Sequence, residues 1–347
     1  MSLKVHLAID TIGGDFGTEV TLPAVAAALE SDPHLSLTLV GSRDRLATFQ
    51  KNTPEKDRLN FVYVDGEVST EDTPKQVIRQ GASSSMGAAI ALVDQDCQGA
   101  VSSGSTAALM TLGKSLLGMQ KNIDRPVLAT AIPSRDNHTW LLDVGANLEC
   151  SAEKLLKLGI LGTLLARAQD GTQSPRVGLL NVGHENSKGT TVIKTAAEQM
   201  KTNEQVHLVG YAEGGDLFGD KFDVVVADGF SGNVALKTAE GAAFYIFEHV
   251  RNTFRQNFFA KIGAWIMSPQ IKRIKAGLNP SRHNGAPLLG LQGLVVKSHG
   301  VADIEAFKCA IELAAKLARS GLVSEIGDSM GTLAEKPETA NLGGATT

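Results

Sequence analysis

Very little in this 347-residue chain belongs to a disulfide scaffold, a zinc module or a membrane span. The three cysteines, Cys97, Cys150 and Cys309, are far apart and form no C-x-x-C pair, which argues against a zinc site and a disulfide framework and leaves reduced core thiols as the expectation. No run of about 18 apolar residues is available to cross a bilayer. Residues 1–9, MSLKVHLAI, lack the apolar stretch of a secretory signal, so a cytoplasmic location is expected. A net charge of −4 gives no support to bulk nucleic-acid binding. No G-x-G-x-x-G follows a strand pattern, and no G-x-S-x-G elbow exists. Ala108–Ser115, ALMTLGKS, nearly spells a P-loop, but it opens on Ala and lies inside a helical pattern.

What the chain does have is alternation. Lys4–Ile9, Leu35–Val40, Leu59–Val64, Gly99–Ser102, Val127–Ile132, Thr139–Val144, Arg176–Val182, Asp223–Ala227 and Leu294–Lys297 read as strands. Helical patterns separate most of them, including one that Thr21 is expected to cap and Pro23 to open. Strands and helices in alternation predict an α/β fold with a mostly parallel, doubly wound sheet and helices on both faces. Residues 1–327 form the α/β unit, with two subdomains as an option, and the Gly- and Thr-rich stretch 328–347 is expected to be a mobile tail.

In such sheets ligands sit beyond the carboxyl ends of the strands. Six strand-end loops are rich in Gly, Ser, Asn and Asp: DTIGGD, SSGST, DVGAN, NVGHENSKG, DGFSGN and SHG. They are expected to share one edge and one site. The candidates in them are Asp10, Gly13, Gly14, Asp15, Ser103, Gly104, Ser105, Thr106, Asp143, Asn147, Gly189, Asp228, Gly229, Ser231 and Gly232. Ser231 is positioned to cap a helix starting near Asn233, and a helix N-terminus attracts anions such as phosphate. Lys188 and Lys237 supply cations in matching contexts, and His299 can donate a proton or ligate phosphate. The aspartates are expected to cap helices and order loops rather than to bind a metal. His138 and Asp143 form an H-x4-D pattern, yet residues five apart on a strand face opposite ways, so the pair is expected to be a coincidence.

Charge is distributed unevenly. Between His249 and Ala302 there is no acidic residue, against eight Lys or Arg, among them Arg251, Lys275, Arg282 and Lys297. Within that stretch, residues 251–275 form an amphipathic, basic segment in which Arg255, Phe258, Lys261, Trp265, Lys272 and Arg273 suit an anionic membrane surface, an acidic protein or a partner subunit.

Taken together, Asp10-x-x-Gly13-Gly14-Asp15, SSM at Ser84–Met86, VSSGSTAALM, LDVGAN, PRVGLLNVG, Lys188-Gly189, DGFSGNVALKT, GAPLLGLQG and the SHG that follows resemble the phosphate acyltransferase family of phospholipid synthesis. The resemblance spans residues 5 to about 320. It implies a fold similar to isocitrate and isopropylmalate dehydrogenases and to phosphotransacetylase, and a homodimer. The activity it implies is transfer of a long-chain fatty acyl group from acyl carrier protein to inorganic phosphate, with no cofactor. The acyl phosphate product would serve a membrane-bound glycerol-3-phosphate acyltransferase, with a peripheral contact on the inner face of the cell membrane. Lys188, Asn233 and His299 are then expected to be catalytic, with phosphate held by Lys188, Lys237 and the Ser231–Asn233 turn. A short-chain phosphotransacylase using acyl coenzyme A is the alternative enzyme. A membrane-surface scaffold is the non-enzymatic one.

Overall fold

The computed structural model describes residues 3–69, 71–135, 137–255, 267, 270 and 284–333. The apolar runs form an eleven-stranded sheet. Its strands in chain order are β1 (Val5–Asp10), β2 (Leu35–Gly41), β3 (Leu59–Tyr63), β4 (Gly99–Ser102), β5 (Val127–Pro133), β6 (His138–Leu142), β7 (Arg176–Leu180), β8 (His207–Ala212), β9 (Val224–Val226), β10 (Ala286–Leu289) and β11 (Leu294–Lys297). Among the described residues the α-helices are α1 (Thr18–Ser31), α2 (Arg43–Asn52), α3 (Pro74–Gln80), α4 (Ser85–Ala91), α5 (Thr106–Leu117), α6 (Ala152–Asp170), α7 (Thr191–Lys201), α8 (Gly229–Arg255), α9 (Ile304–Ser320) and α10 (Leu322–Gly331).

Both faces of the sheet are covered, which explains why its central strands are apolar without alternation. In β6 and β9, Leu142, Val224 and Val226 point into one core with Leu29 of α1, Leu165 of α6 and Phe307 of α9. Leu141 and Val225 point into the other, with Leu109 and Leu112 of α5 and Ile90 of α4. The first core runs beneath both halves of the sheet, so it ties the N-terminal strands to the later ones.

The spatial order is β3-β2-β1-β4-β11-β10-β5-β6-β9-β7-β8. From β3 to β11 every pairing is parallel. Then β10 is antiparallel to β11, β5 to β10, and β6 to β5. The remaining strands again run parallel to β6. Three successive reversals leave the β6-β9-β7-β8 group pointing opposite to the first group. The expectation of six loops at one edge is therefore corrected: the loops after β1, β4 and β11 leave one end of the sheet, and those after β6, β7 and β9 leave the other.

Three local readings also change. Helix α1 starts at Thr18, with Pro23 inside it, and the Thr21 hydroxyl donates to Thr11 O (3.0 Å) instead of capping the helix. Helix α8 starts at Gly229, so Ser231 lies in its first turn. The chain is still helical at Gly331, which moves the boundary of the expected tail past residue 328. Of the basic segment, Phe258, Lys261, Trp265, Lys272 and Arg273 lie outside the described residues, and Arg255 is the last described residue of α8. Among the described residues no helix is long and apolar enough to cross a membrane.

Candidate active site

The first set of loops closes around Asp10. This residue ends β1 fully buried, and its carboxylate accepts from Ile12 N (3.2 Å), Gly13 N (3.2 Å) and Ser102 Oγ (2.6 Å). Ser102 Oγ in turn accepts from Gly104 N (3.1 Å), which links β1 to the start of α5. Ser103 Oγ donates to Gly13 O (2.6 Å), and Asp15 N to Gly300 O (2.9 Å), bringing in the loop after β11. Gly14 adopts a left-handed φ of 90°, and a Cβ there would lie 2.5 Å from Ser103 Oγ, so only glycine fits.

These contacts frame an open cleft of about 500 Å³. Asp10, Gly13, Gly14 and Asp15 line it, together with Ser103–Thr106 at the N-terminal end of α5, and so does Lys297. Sequence reading missed Lys297 as a site residue because it counted only as one cation of the acid-free stretch. Its Nζ donates to Ser103 O (3.3 Å) and to Ser298 O. Burial lowers its pKa to about 8, with Asp15 opposing the shift and Lys237 adding to it. Asn284, also missed, fixes the neighbouring turn: its Nδ2 donates to Ser298 Oγ (2.7 Å), and its Oδ1 accepts from His299 N (3.0 Å). His299 is partly exposed, and burial leads in holding its imidazole below the usual pKa, opposed by Glu240 and helped by Lys297 and Lys237. Val301 N donates to His299 Nδ1 (3.3 Å), which leaves the proton of the neutral ring on Nε2.

The second set is built on Asp143, also fully buried. Its carboxylate accepts from Gly145 N (3.2 Å), Ala146 N (3.0 Å), Asn147 N (2.9 Å) and Asn147 Nδ2 (2.6 Å). Burial still pushes its pKa above the usual carboxylate value, outweighing those donors. Asn147 O accepts from Gly229 N (2.7 Å), so the loop after β6 seats the start of α8. Asp228, not Ser231, caps that helix: it accepts from Ser231 N (2.9 Å) and Ser231 Oγ (2.8 Å). Gly232 rests on the backbone of Asp143, and the Asn233 amide packs beside Gly145. Lys188 and Gly189 belong to the adjacent loop after β7, where Asn181 Nδ2 donates to Gly183 O (3.1 Å) and Lys188 O (3.5 Å). Lys188 is exposed and does not line the first cleft.

Helix α8 joins the two sets. Asn233 and Lys237, four residues apart, share one face of it. The first packs beside Gly145, while the second lies close enough to Lys297 and His299 to shift both. Lys237 is not a free cation, because it pairs with Glu240 at 2.7 Å. The aspartates act as turn caps, as expected: Asp10, Asp143 and Asp228 each hold loop amides. His138 stands 3.3 Å from Asp170 while Asp143 serves its own loop, so the H-x4-D pattern has no common site. The P-loop look-alike lies inside α5.

The mostly parallel α/β sheet with helices on both faces is a fold shared with solved phosphotransacetylases. The chain is similar to a phosphotransacetylase from Streptococcus pyogenes (TM-score 0.58, 16% identity, 90% of this chain and 94% of that one). It is also similar to a 4-hydroxythreonine-4-phosphate dehydrogenase from Burkholderia phymatum (TM-score 0.52, 13% identity, 90% and 98%). At these identities the likeness defines the fold. The family described as Fatty acid synthesis protein matches residues 5–325, and the chain belongs to it. It is 40% identical over 325 residues to the phosphate acyltransferase of Halorhodospira halophila, covering 93% of this chain and 95% of the relative. To that of Pseudomonas putida KT2440 it is 42% identical over 317 residues, covering 90% and 94%. The chain is thus an acyltransferase of fatty acid and phospholipid synthesis.

Proposed function

We propose that the enzyme transfers a long-chain fatty acyl group from acyl carrier protein to inorganic phosphate and releases acyl phosphate. The observation that carries this reading is a polar cleft with a partly buried cation and, among the described residues, no prepared protein nucleophile. Ser102 and Ser103 spend their hydroxyl protons on Asp10 and Gly13 O. Burial pushes the Cys97 and Cys150 thiols up to about 11, where thiolate is scarce at neutral pH. Among the described residues no histidine is hydrogen-bonded to a cleft serine. Phosphate needs no such activation, and a pantetheine thiolate is a good leaving group.

In this mechanism an oxygen of HPO4²⁻ attacks the thioester carbonyl carbon, a C–O bond forms and the C–S bond breaks. The proton of the hydrogen phosphate ends on the pantetheine sulfur. Catalysis then consists of alignment and of stabilising the oxyanion. The phosphate role expected for Lys188, Lys237 and the Ser231–Asn233 turn is not kept: neither lysine lines the cleft of Lys297, and Lys237 is paired with Glu240. With Asn233 they are assigned to the thioester, and His299 Nε2–H serves as a neutral donor near the leaving group. The basic segment 251–275 receives the carrier protein or the membrane surface, and the working unit is a homodimer that passes its product to a membrane-bound glycerol-3-phosphate acyltransferase.

Rapid-quench mixing with labelled palmitoyl-carrier protein and phosphate should give labelled acyl phosphate with no acyl-protein at any time point. An acyl-enzyme that forms and decays at the turnover rate would overturn direct attack. Preference for a short acyl coenzyme A over the carrier thioester would overturn the donor.

A further inference from the structure

We propose that Lys297, on the floor of the cleft after β1, β4 and β11, is the cation that binds inorganic phosphate there. The inference rests on the acyl-transfer reading for its choice of anion. Its own support is an imbalance of charge. An ammonium has three donors, and Lys297 gives two of them to the carbonyls of Ser103 and Ser298. Among the described residues it forms no ion pair. A cation largely withdrawn from water without a counterion is costly, and that cost is relieved when a ligand brings the negative charge.

The neighbouring groups do not supply it. From β1, Asp10 is committed to Ile12, Gly13 and Ser102. Asp15 on the same loop offsets part of the effect of burial on Lys297, but it and Glu67 after β3 are exposed, where water screens them, and neither forms an ion pair with it. From α8, Lys237 and Glu240 neutralise each other. On Lys297's own loop, His299 has a lowered pKa and adds no positive charge at neutral pH. The loop after β4 contributes hydroxyls and the first turn of α5, whose dipole also favours an anion. Lys297, partly buried, is thus the one Lys or Arg lining this cleft among the described residues.

A consequence follows for protons. With its pKa held near 8, Lys297 is mostly neutral at pH 8.5 in the empty cleft, and a bound dianion restores its proton. Phosphate is already HPO4²⁻ at that pH, so the uptake is not its own.

The test is calorimetric titration of the full chain with inorganic phosphate at pH 8.5, in two buffers of different ionisation heat. Uptake of roughly half a proton or more per phosphate is expected. Lys297→Arg keeps the charge but cannot lose it, and should bind phosphate without proton uptake. Lys297→Met should weaken phosphate binding by about tenfold or more, the size of one lost charge-assisted contact. Wild-type affinity in Lys297→Met, wild-type binding without proton uptake, or no phosphate binding by the wild type would each overturn the proposal. Should phosphate bind with proton uptake while palmitoyl-carrier protein is not consumed, the donor reading fails and Lys297 stands.

Discussion

Gly232→Ala is expected to cost about 4 kcal/mol of stability, at the upper end of what single substitutions do. A Cβ at this position would lie 1.9 Å from the carbonyl oxygen of Asp143, and the atom it meets is backbone. Relief requires the first turn of α8 to lift off the loop after β6. That movement would stretch the bond from Gly229 N to Asn147 O and pull Asn233 away from Gly145. Activity should fall with stability, because the displaced helix carries Asn233 and Lys237. Gly241→Ala supplies the control. It lies further along α8 with nothing within 4 Å of an added Cβ, and should gain up to about 1 kcal/mol from helix propensity. Urea unfolding of both variants checks this. Equal stability of Gly232→Ala and wild type would mean that Asp143 does not lie under the helix.

Lys297 should make the protein more stable as pH rises from 8 to 10.5. In the unfolded chain its amine keeps the ordinary value of 10.5, whereas in the fold burial lowers it to about 8. Between those limits the unfolded state binds the extra proton, so unfolding becomes less favourable with increasing pH. Below 8 both states are protonated, and the fold carries the full cost of the buried charge, about 3 kcal/mol. Lys297→Met removes this dependence. The stability of wild type relative to Lys297→Met should therefore climb by about 3 kcal/mol across the window, measured by urea midpoints at pH 7 and 10.5. A flat difference would place the amine in water. The cost is consistent with a group kept for an anion rather than for folding.

The sequence carried the α/β alternation, because β1, β6 and β9 are apolar on both faces and their helices are well separated. It also carried the capping role of Asp10, Asp143 and Asp228, since an aspartate before a glycine turn has a local use for its carboxylate. Strand direction was not local. Ala286–Leu289 is too short to announce β10, and no periodicity records that β10, β5 and β6 each reverse the sheet. The loops therefore looked like one set when they form two. His207–Ala212 was overlooked because Gly210 interrupts its apolar pattern at the sheet edge. Asp228 and Ser231 can each cap a helix, and the side chains alone did not say which residue precedes the first turn. Lys297 became visible only in the fold, because the Ser103 carbonyl that its amine reaches lies on the β4 loop, remote in the chain.

The central claim is that phosphate, and not water or a protein side chain, accepts the acyl group. Phosphorus NMR of the full chain incubated with palmitoyl-carrier protein and inorganic phosphate addresses it directly. The mechanism predicts a new acyl phosphate resonance that grows one for one with the loss of thioester. Thioester loss accompanied only by free palmitate, or an intact thioester after prolonged incubation, would contradict it.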